Sequence, residues 1–123
     1  MERIETKKAP SAVGAYSQAI VSNGFVFVSG QIPVSAETGE VVSGGIAEQT
    51  EQVCKNLSAI LVASGSSLEK VVKTTCYLAD ISDFKAFNGV YATFFVGRPA
   101  RACVAVKDLP KGVLVEIDAI AEK

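Results

Sequence analysis

Residues 16–30, YSQAIVSNGFVFVSG, carry the clearest local signal of structure in the chain. Two apolar-rich runs flank Asn23-Gly24, the residue pair that a two-residue type I′ turn prefers, so this stretch predicts a β-hairpin. In that hairpin Gln18 lies opposite Ser29, and directly opposed residues share one face of a sheet. Tyr16 continues the same face. We therefore expect Tyr16, Gln18 and Ser29 to lie together at the end of the hairpin that is remote from the turn.

Beyond the hairpin, hydrophobic periodicity predicts two helices and three further strands. In chain order these are a helix at 46–64, a strand at 70–80, a helix at 83–95, and strands at 101–107 and 113–121. Gly65 is placed to end the first helix, and Ser82 to cap the second at its N-terminus. The segment 31–45 contains Pro33 and several glycines and predicts an irregular connection.

This order of elements predicts an α+β fold, a mostly antiparallel sheet with the two helices packed on one face. A chain of 123 residues is the size of one domain, so we expect a single domain over 1–123. Its residues are 49% hydrophobic, and its mean hydropathy of +0.32 is high for a small monomer. We therefore expect other copies of the chain to cover part of its apolar surface.

Charge and composition disfavour several classes of function. The net charge is −1 and no basic run is present, so no nucleic-acid partner is expected. The N-terminus has no apolar leader and no segment approaches the length of a membrane span, which makes the cytoplasm the expected location. No glycine-rich motif for dinucleotides or phosphates occurs.

Histidine is absent, and this absence restricts the chemistry most strongly. It excludes Ser-His-Asp and Cys-His nucleophiles and histidine-ligated metals. The three cysteines, an odd number without a CxxC pair, disfavour a disulfide framework or a zinc site. Any catalysis must therefore come from other polar side chains or the backbone.

The stretch PARACVAV, residues 99–106, places a guanidinium at the entrance of an apolar strand. Arg101 is either a strand-end residue that reaches water or pairs with a surface carboxylate, or a receptor that binds a small carboxylate with its planar fork. Cys103 and Arg101 share one face of this strand. Cys103 is more typical of a small buried hydrophobe than of a reactive thiol.

Two carboxylates and one amide are further candidates. Glu116 and Asp118 share a face of the last strand, either as a solvated edge or as a site. In a simple hairpin of the last two strands, Arg101 would oppose Ala119 and Glu116 would lie on the other face, although a bulge or an intersubunit arrangement is equally open. Asn88 interrupts the aromatic stripe of the second helix, either as a satisfied amide or as a site residue.

Five blocks of the sequence, in this order, resemble the RidA family, also called YjgF. They are GAYSQAI (14–20), VSGQIP (28–33), NGVYATFF (88–95), PARACV (99–104) and VEIDAIA (115–121). The resemblance covers nearly the whole chain, and the spacing of PAR-x-C-V before V-E-I-x-A is highly specific. It implies a chorismate-mutase-like α+β fold, assembled as a homotrimer with three sites in clefts between subunits.

The resemblance also implies an activity. Archetypal members hydrolyse the enamines and imines released by pyridoxal-phosphate dehydratases, such as 2-iminobutanoate and 2-iminopropanoate, to 2-oxo acids and ammonia, without cofactor or metal. By the match of motifs, Arg101 would bind the substrate carboxylate and Glu116 would position the attacking water. The implied lining of the pocket consists of Tyr16, Ser29, Gly30, Asn88 and Cys103.

This chemistry is within reach of a protein without histidine, because water attacks the electrophilic imine carbon and the protein mainly has to position the two. A nearby carboxylate can accept the proton of that water. One departure is the short segment VGRPAR (96–101), where family members have a longer loop and an aromatic residue at the place of Arg98. Two alternatives are a non-catalytic trimeric sensor of small 2-oxo or imino acids and, less favoured by the charge, a ribonuclease or translation inhibitor.

Overall fold

The structure is a computed structural model that describes all residues, Met1–Lys123. Six strands and two α-helices form it, joined by short 3₁₀ turns. In chain order they are β1 (Glu2–Ile4), β2 (Ala19–Ser22), β3 (Phe25–Gln31), α1 (Ile46–Ala63), β4 (Val71–Leu78), α2 (Phe84–Phe94), β5 (Ala100–Ala105) and β6 (Val115–Glu122). The α+β fold expected from the sequence is confirmed.

The hairpin forms around the predicted turn. Asn23 and Gly24 have φ angles of 51° and 80°, as a type I′ turn requires. Ser29 lies opposite Gln18, because its N–H donates to the Gln18 carbonyl at 2.9 Å. Tyr16, however, precedes β2 and is not paired in the sheet, so it does not extend the face shared by these two residues.

The two helices occur at the predicted positions, with one correction at a cap. Gly65 follows the last turn of α1 with a φ of 82°, a conformation that glycine adopts without strain. The sequence predicted that Ser82 caps α2, and this prediction is wrong. Ser82 lies within a 3₁₀ turn before the helix, and its N–H donates to the Asp80 carboxylate at 2.9 Å. The carboxylate of Asp80 therefore caps the 3₁₀ turn, and no side chain caps α2 itself.

The sheet has the order β1-β2-β3-β6-β4-β5, which differs from the simple register considered for the last two strands. Strands β5 and β6 are not a hairpin, because β4 lies between them. Arg101 pairs with Thr74 of β4, and Ala119 pairs with Thr74 from the other side. Strand β5 runs parallel to β4 because α2 returns the chain to the end of the sheet where β4 began.

One face of the sheet is covered and the other is open. Both helices pack on the covered face, where the side chains of a 21-residue hydrophobic core meet. On β6 the residues alternate strictly, so Ile117 is buried in the core and its neighbours Glu116 and Asp118 lie on the open face. Phe25 and Phe27 are 40% and 45% exposed on that open face. No helix is long and apolar enough to span a membrane.

Candidate active site

Arg101 lies on the covered face at the sheet edge, beside α2. Its Nη1 donates to the Asn88 amide oxygen at 2.6 Å. Its guanidinium carbon lies 4.8 Å from the ring centre of Tyr91 and 5.4 Å from that of Phe84, within the range of cation–π contacts. The side chain remains exposed, and the only ion pair of the chain, Lys55 with Glu51, is elsewhere. The guanidinium is thus held in place with its charge unneutralised.

The platform under Arg101 is itself fixed. The Tyr91 hydroxyl shares a buried 2.7 Å hydrogen bond with the hydroxyl of Thr74. The Tyr91 ring stacks on Phe95 with ring centres 4.4 Å apart. The hydrogen bond holds the Tyr91 hydroxyl and the stacking holds its ring face. Because the ring is fixed in this way, the positions that the Arg101 guanidinium can take on it are limited as well.

Beside Arg101 lies an open groove of about 740 Å³. Its lining includes Asn88, Tyr91, Phe95, Arg98, Pro99 and Arg101. Arg98 has a φ of 54°, the left-handed conformation in which a residue with a Cβ costs about 1–2 kcal/mol. Its N–H donates to the Phe95 carbonyl at 3.1 Å, which closes the turn at this end of the groove.

Cys103 follows Arg101 on the same face and packs partly buried against the core. Burial raises the pKa of the Cys103 thiol, and the nearby Arg101 lowers it to a smaller extent. Burial raises the pKa of Cys54 and of Cys76 to about 12. At neutral pH these thiols are therefore protonated, and Cys103 is not activated as a thiolate nucleophile.

Glu116 lies on the open face, opposite Tyr77 of β4. Its carboxylate lies over Gly30 so closely that a Cβ at that position would collide with it, so any larger residue at position 30 would displace the Glu116 carboxylate. Burial raises the pKa of Glu116, and the negative charge of Asp118 raises it further. The carboxyl group therefore takes up a proton at a higher pH than an ordinary glutamate.

The other two candidate residues, Tyr16 and Ser29, lie in the part of the molecule next to Gly30. Tyr16 is exposed, and its hydroxyl accepts a 3.4 Å hydrogen bond from the N–H of Val13. Tyr16 and Gly30 also line a small cavity of about 110 Å³. The Ser29 hydroxyl donates to the Ser17 carbonyl at 2.6 Å, so part of its hydrogen-bonding capacity is used locally.

The candidate residues thus fall into two groups. Arg101, Asn88 and Cys103 meet on the covered face, whereas Glu116 and Gly30 meet on the open face. No group of three or more His, Cys, Asp or Glu side chains is arranged to hold a metal ion. Sequence reasoning missed the stacking platform of Phe84 and Tyr91, although an amide inside an aromatic stripe was the signal that could have revealed it.

The comparisons with known proteins agree on one family. The family model described as endoribonuclease L-PSP matches residues 6–123. A "2-iminobutanoate/2-iminopropanoate deaminase" of Rattus norvegicus is 51% identical over 96% of this chain and 87% of its own length. A "RutC family protein" of Pyrococcus abyssi is 53% identical over 99% of this chain and 97% of its own length.

A solved structure has the same fold. The crystal structure of TdcF from E. coli with bound serine superposes with a TM-score of 0.95 at 41% identity, covering 100% of this chain and 99% of the TdcF chain. The family model matches nearly the whole chain, and the five sequence blocks and the fold agree with it. The chain therefore belongs to the RidA (YjgF) family.

Proposed function

We propose that the protein hydrolyses reactive imines of small 2-amino acids, 2-iminobutanoate and 2-iminopropanoate among them, to 2-oxo acids and ammonia. The observation that carries this proposal is the guanidinium of Arg101, which is exposed, stacked on two aromatic rings and without a carboxylate partner. Such a group suits a small anion, since the planar fork binds a carboxylate through two hydrogen bonds. The deaminase name of the rat relative supports the same assignment.

In the proposed mechanism Arg101 binds the substrate carboxylate, and Asn88 orients the guanidinium. Glu116 holds a water against the imine carbon and accepts a proton as the water attacks. The water oxygen bonds to the imine carbon, the carbon–nitrogen bond then breaks, and both water protons leave with the nitrogen as ammonia. Tyr16, Ser29, Gly30 and Cys103 are proposed to line the pocket.

Arg101 and Glu116 act on one substrate in this proposal, yet they lie on opposite faces of one sheet. A second copy of the chain must therefore supply one of them. The open face, with Phe25 and Phe27 exposed beside Glu116's strand, is an apolar surface that other copies can cover. We propose that three copies assemble through it and that each cleft between neighbours combines Arg101 of one copy with Glu116 of the next.

The test is an assay in which a threonine dehydratase generates 2-iminobutanoate continuously and ammonia release is followed. The wild-type protein is expected to accelerate the release, and Arg101→Ala to lower kcat/KM about a hundredfold or more, because the substrate charge loses its partner. Lys85→Ala removes an exposed cation of α2 and serves as the control, which should leave kcat/KM unchanged. Full activity in Arg101→Ala would overturn the role of the arginine.

A second candidate is a sensor that binds small 2-oxo or imino acids without turnover. The serine bound to the E. coli relative is the observation that favours it, because serine is a stable amino acid rather than a reactive imine. Thermal stabilisation of the wild-type protein by 2-oxobutanoate, with no acceleration of ammonia release, would select this alternative. Stabilisation together with acceleration supports the enzyme.

A further inference from the structure

The groove beside Arg101 contains a second guanidinium. Arg98 and Arg101 both line it, and none of the lining residues is an aspartate or glutamate. The only ion pair of the chain joins two residues of α1, so neither arginine is neutralised within the chain. One groove thus presents two cations to whatever enters it.

The two arginines are close enough to act on one small molecule. They are separated by Pro99 and Ala100, so their Cα atoms are at most about 10 Å apart. Both side chains are exposed, and the guanidinium of Arg101 is anchored by Asn88. A carboxylate that binds Arg101 through both of its oxygens leaves Arg98 free, whereas a short dicarboxylate can give each guanidinium a carboxylate of its own.

The backbone at Arg98 argues that its side chain is used. A glycine would adopt the φ of 54° freely, and the proline that follows restricts residue 98 further. The Arg98 side chain is exposed and makes no contribution to the core, so packing does not explain its presence. The positive φ and the unpaired guanidinium in the lining of the groove together motivate a binding role for Arg98.

We propose that Arg98 determines specificity by binding the distal carboxylate of a short 2-imino dicarboxylate, 2-iminoglutarate or 2-iminosuccinate, while Arg101 binds the carboxylate next to the imine. This inference rests on the proposed function. The reaction is the same hydrolysis: the water oxygen bonds to C2, the C2–N bond breaks, and ammonia leaves with both water protons. The reactions that supply such substrates are oxidations of acidic amino acids at the α-carbon.

The first test is binding, which does not require turnover. Titration calorimetry compares 2-oxoglutarate with 2-oxopentanoate, which has the same carbon chain but lacks the distal carboxylate. The wild-type protein is expected to bind 2-oxoglutarate about tenfold more tightly, and Arg98→Gln to lose that preference. Lys85→Gln removes the same charge outside the groove and should retain the preference, which separates direct contact from long-range attraction.

The second test is turnover of the matched imines, generated in situ by amino acid oxidases from L-glutamate and L-norvaline. The ratio of the two kcat/KM values is expected to fall about tenfold in Arg98→Gln and to stay unchanged in Lys85→Gln. Arg98→Gly relieves the backbone strain, so it is expected to raise Tm while losing the preference, which excludes unfolding as the cause.

The outcomes separate the two proposals. Equal binding of both keto acids by the wild-type protein, or a preference that survives Arg98→Gln, overturns the role of Arg98 while leaving imine hydrolysis intact. A preference for 2-oxoglutarate without turnover of either imine supports the role of Arg98 in binding and contradicts the enzymatic proposal. Binding of neither keto acid overturns the role of Arg98, whereas imine hydrolysis is overturned only if the wild-type protein does not accelerate ammonia release.

Discussion

Arg101 and Glu116 lie on opposite faces of one sheet, with strand β4 between the strands that carry them. Arg101 contacts α2 on the covered face, and Glu116 lies on the open face over Gly30. A small substrate on one chain cannot touch both groups across the sheet. The account of this protein as an imine hydrolase therefore depends on assembly, because neighbouring copies must bring the two groups together.

Replacement of Asn88 tests whether it positions Arg101. Asn88→Ala removes the 2.6 Å hydrogen bond and is expected to raise KM about fivefold, with a smaller change in kcat. Asn88→Asp has nearly the same shape but adds a carboxylate that neutralises the guanidinium, so it is expected to raise KM much more.

The measurement is steady-state kinetics of both variants on the in situ imine. If Asn88 were only a packing residue, the nearly isosteric aspartate would be the milder change. A smaller effect of Asn88→Asp than of Asn88→Ala would therefore contradict the positioning role.

Glu116 predicts a dependence of activity on pH. Its ionised form is the one that accepts a proton, and burial raises its pKa above the ordinary value. Activity is therefore expected to fall as pH decreases through this raised pKa, and Glu116→Gln to abolish the acidic limb along with most activity. The measurement is kcat as a function of pH for the wild-type protein and for Glu116→Gln. The same acidic limb in both proteins would show that another group is responsible.

The Glu116 carboxyl group also makes stability depend on pH, and it lowers stability as pH rises, whereas activity is expected to rise with pH. Because its folded-state pKa is raised, its contribution to stability is fully present below the unfolded-state pKa and is lost as pH rises through the folded-state value. Glu116→Gln removes this loss. The variant should gain stability relative to the wild-type protein as pH rises towards neutrality, measured by urea unfolding across that range.

Two buried threonines form a matched pair for stability. The Thr50 hydroxyl on α1 is buried without a hydrogen-bond partner, whereas that of Thr74 is bonded to Tyr91. Thr50→Val is expected to stabilise the protein by about 1 kcal/mol, because an unsatisfied polar group is removed. Thr74→Val is expected to destabilise it by about 1 kcal/mol, because Tyr91 loses its partner. Equal effects of both substitutions in denaturant unfolding would contradict this assignment.

Local signals in the sequence were sufficient for most of the elements. Asn23-Gly24 predicted the hairpin because few residue pairs adopt two consecutive positive φ angles. The periodicity of both helices predicted the faces that they bury. The cap of α2 was wrong because a 3₁₀ turn, capped by the Asp80 carboxylate, precedes the helix and places Ser82 inside that turn.

Pairing between distant strands could not be predicted in the same way. The turn between β5 and β6 suggested a hairpin, but β6 inserts between β3 and β4. That insertion depends on contacts between segments far apart in the sequence, which no local pattern records. The contact of Arg101 with Asn88 follows from it, because β5 reaches the edge next to α2 only when β6 lies on the other side of β4.

Mixing of two inactive variants tests whether each active site combines residues of two subunits. Arg101→Ala and Glu116→Gln are each purified, then unfolded and refolded together in equal amounts so that their subunits exchange. If each site combines Arg101 of one copy with Glu116 of its neighbour, random mixing leaves both groups intact at one half of one half, about a quarter, of the sites. The account therefore predicts recovery of about a quarter of wild-type activity. If exchange is complete and the mixture stays inactive, both groups are needed from the same chain, and the account is contradicted.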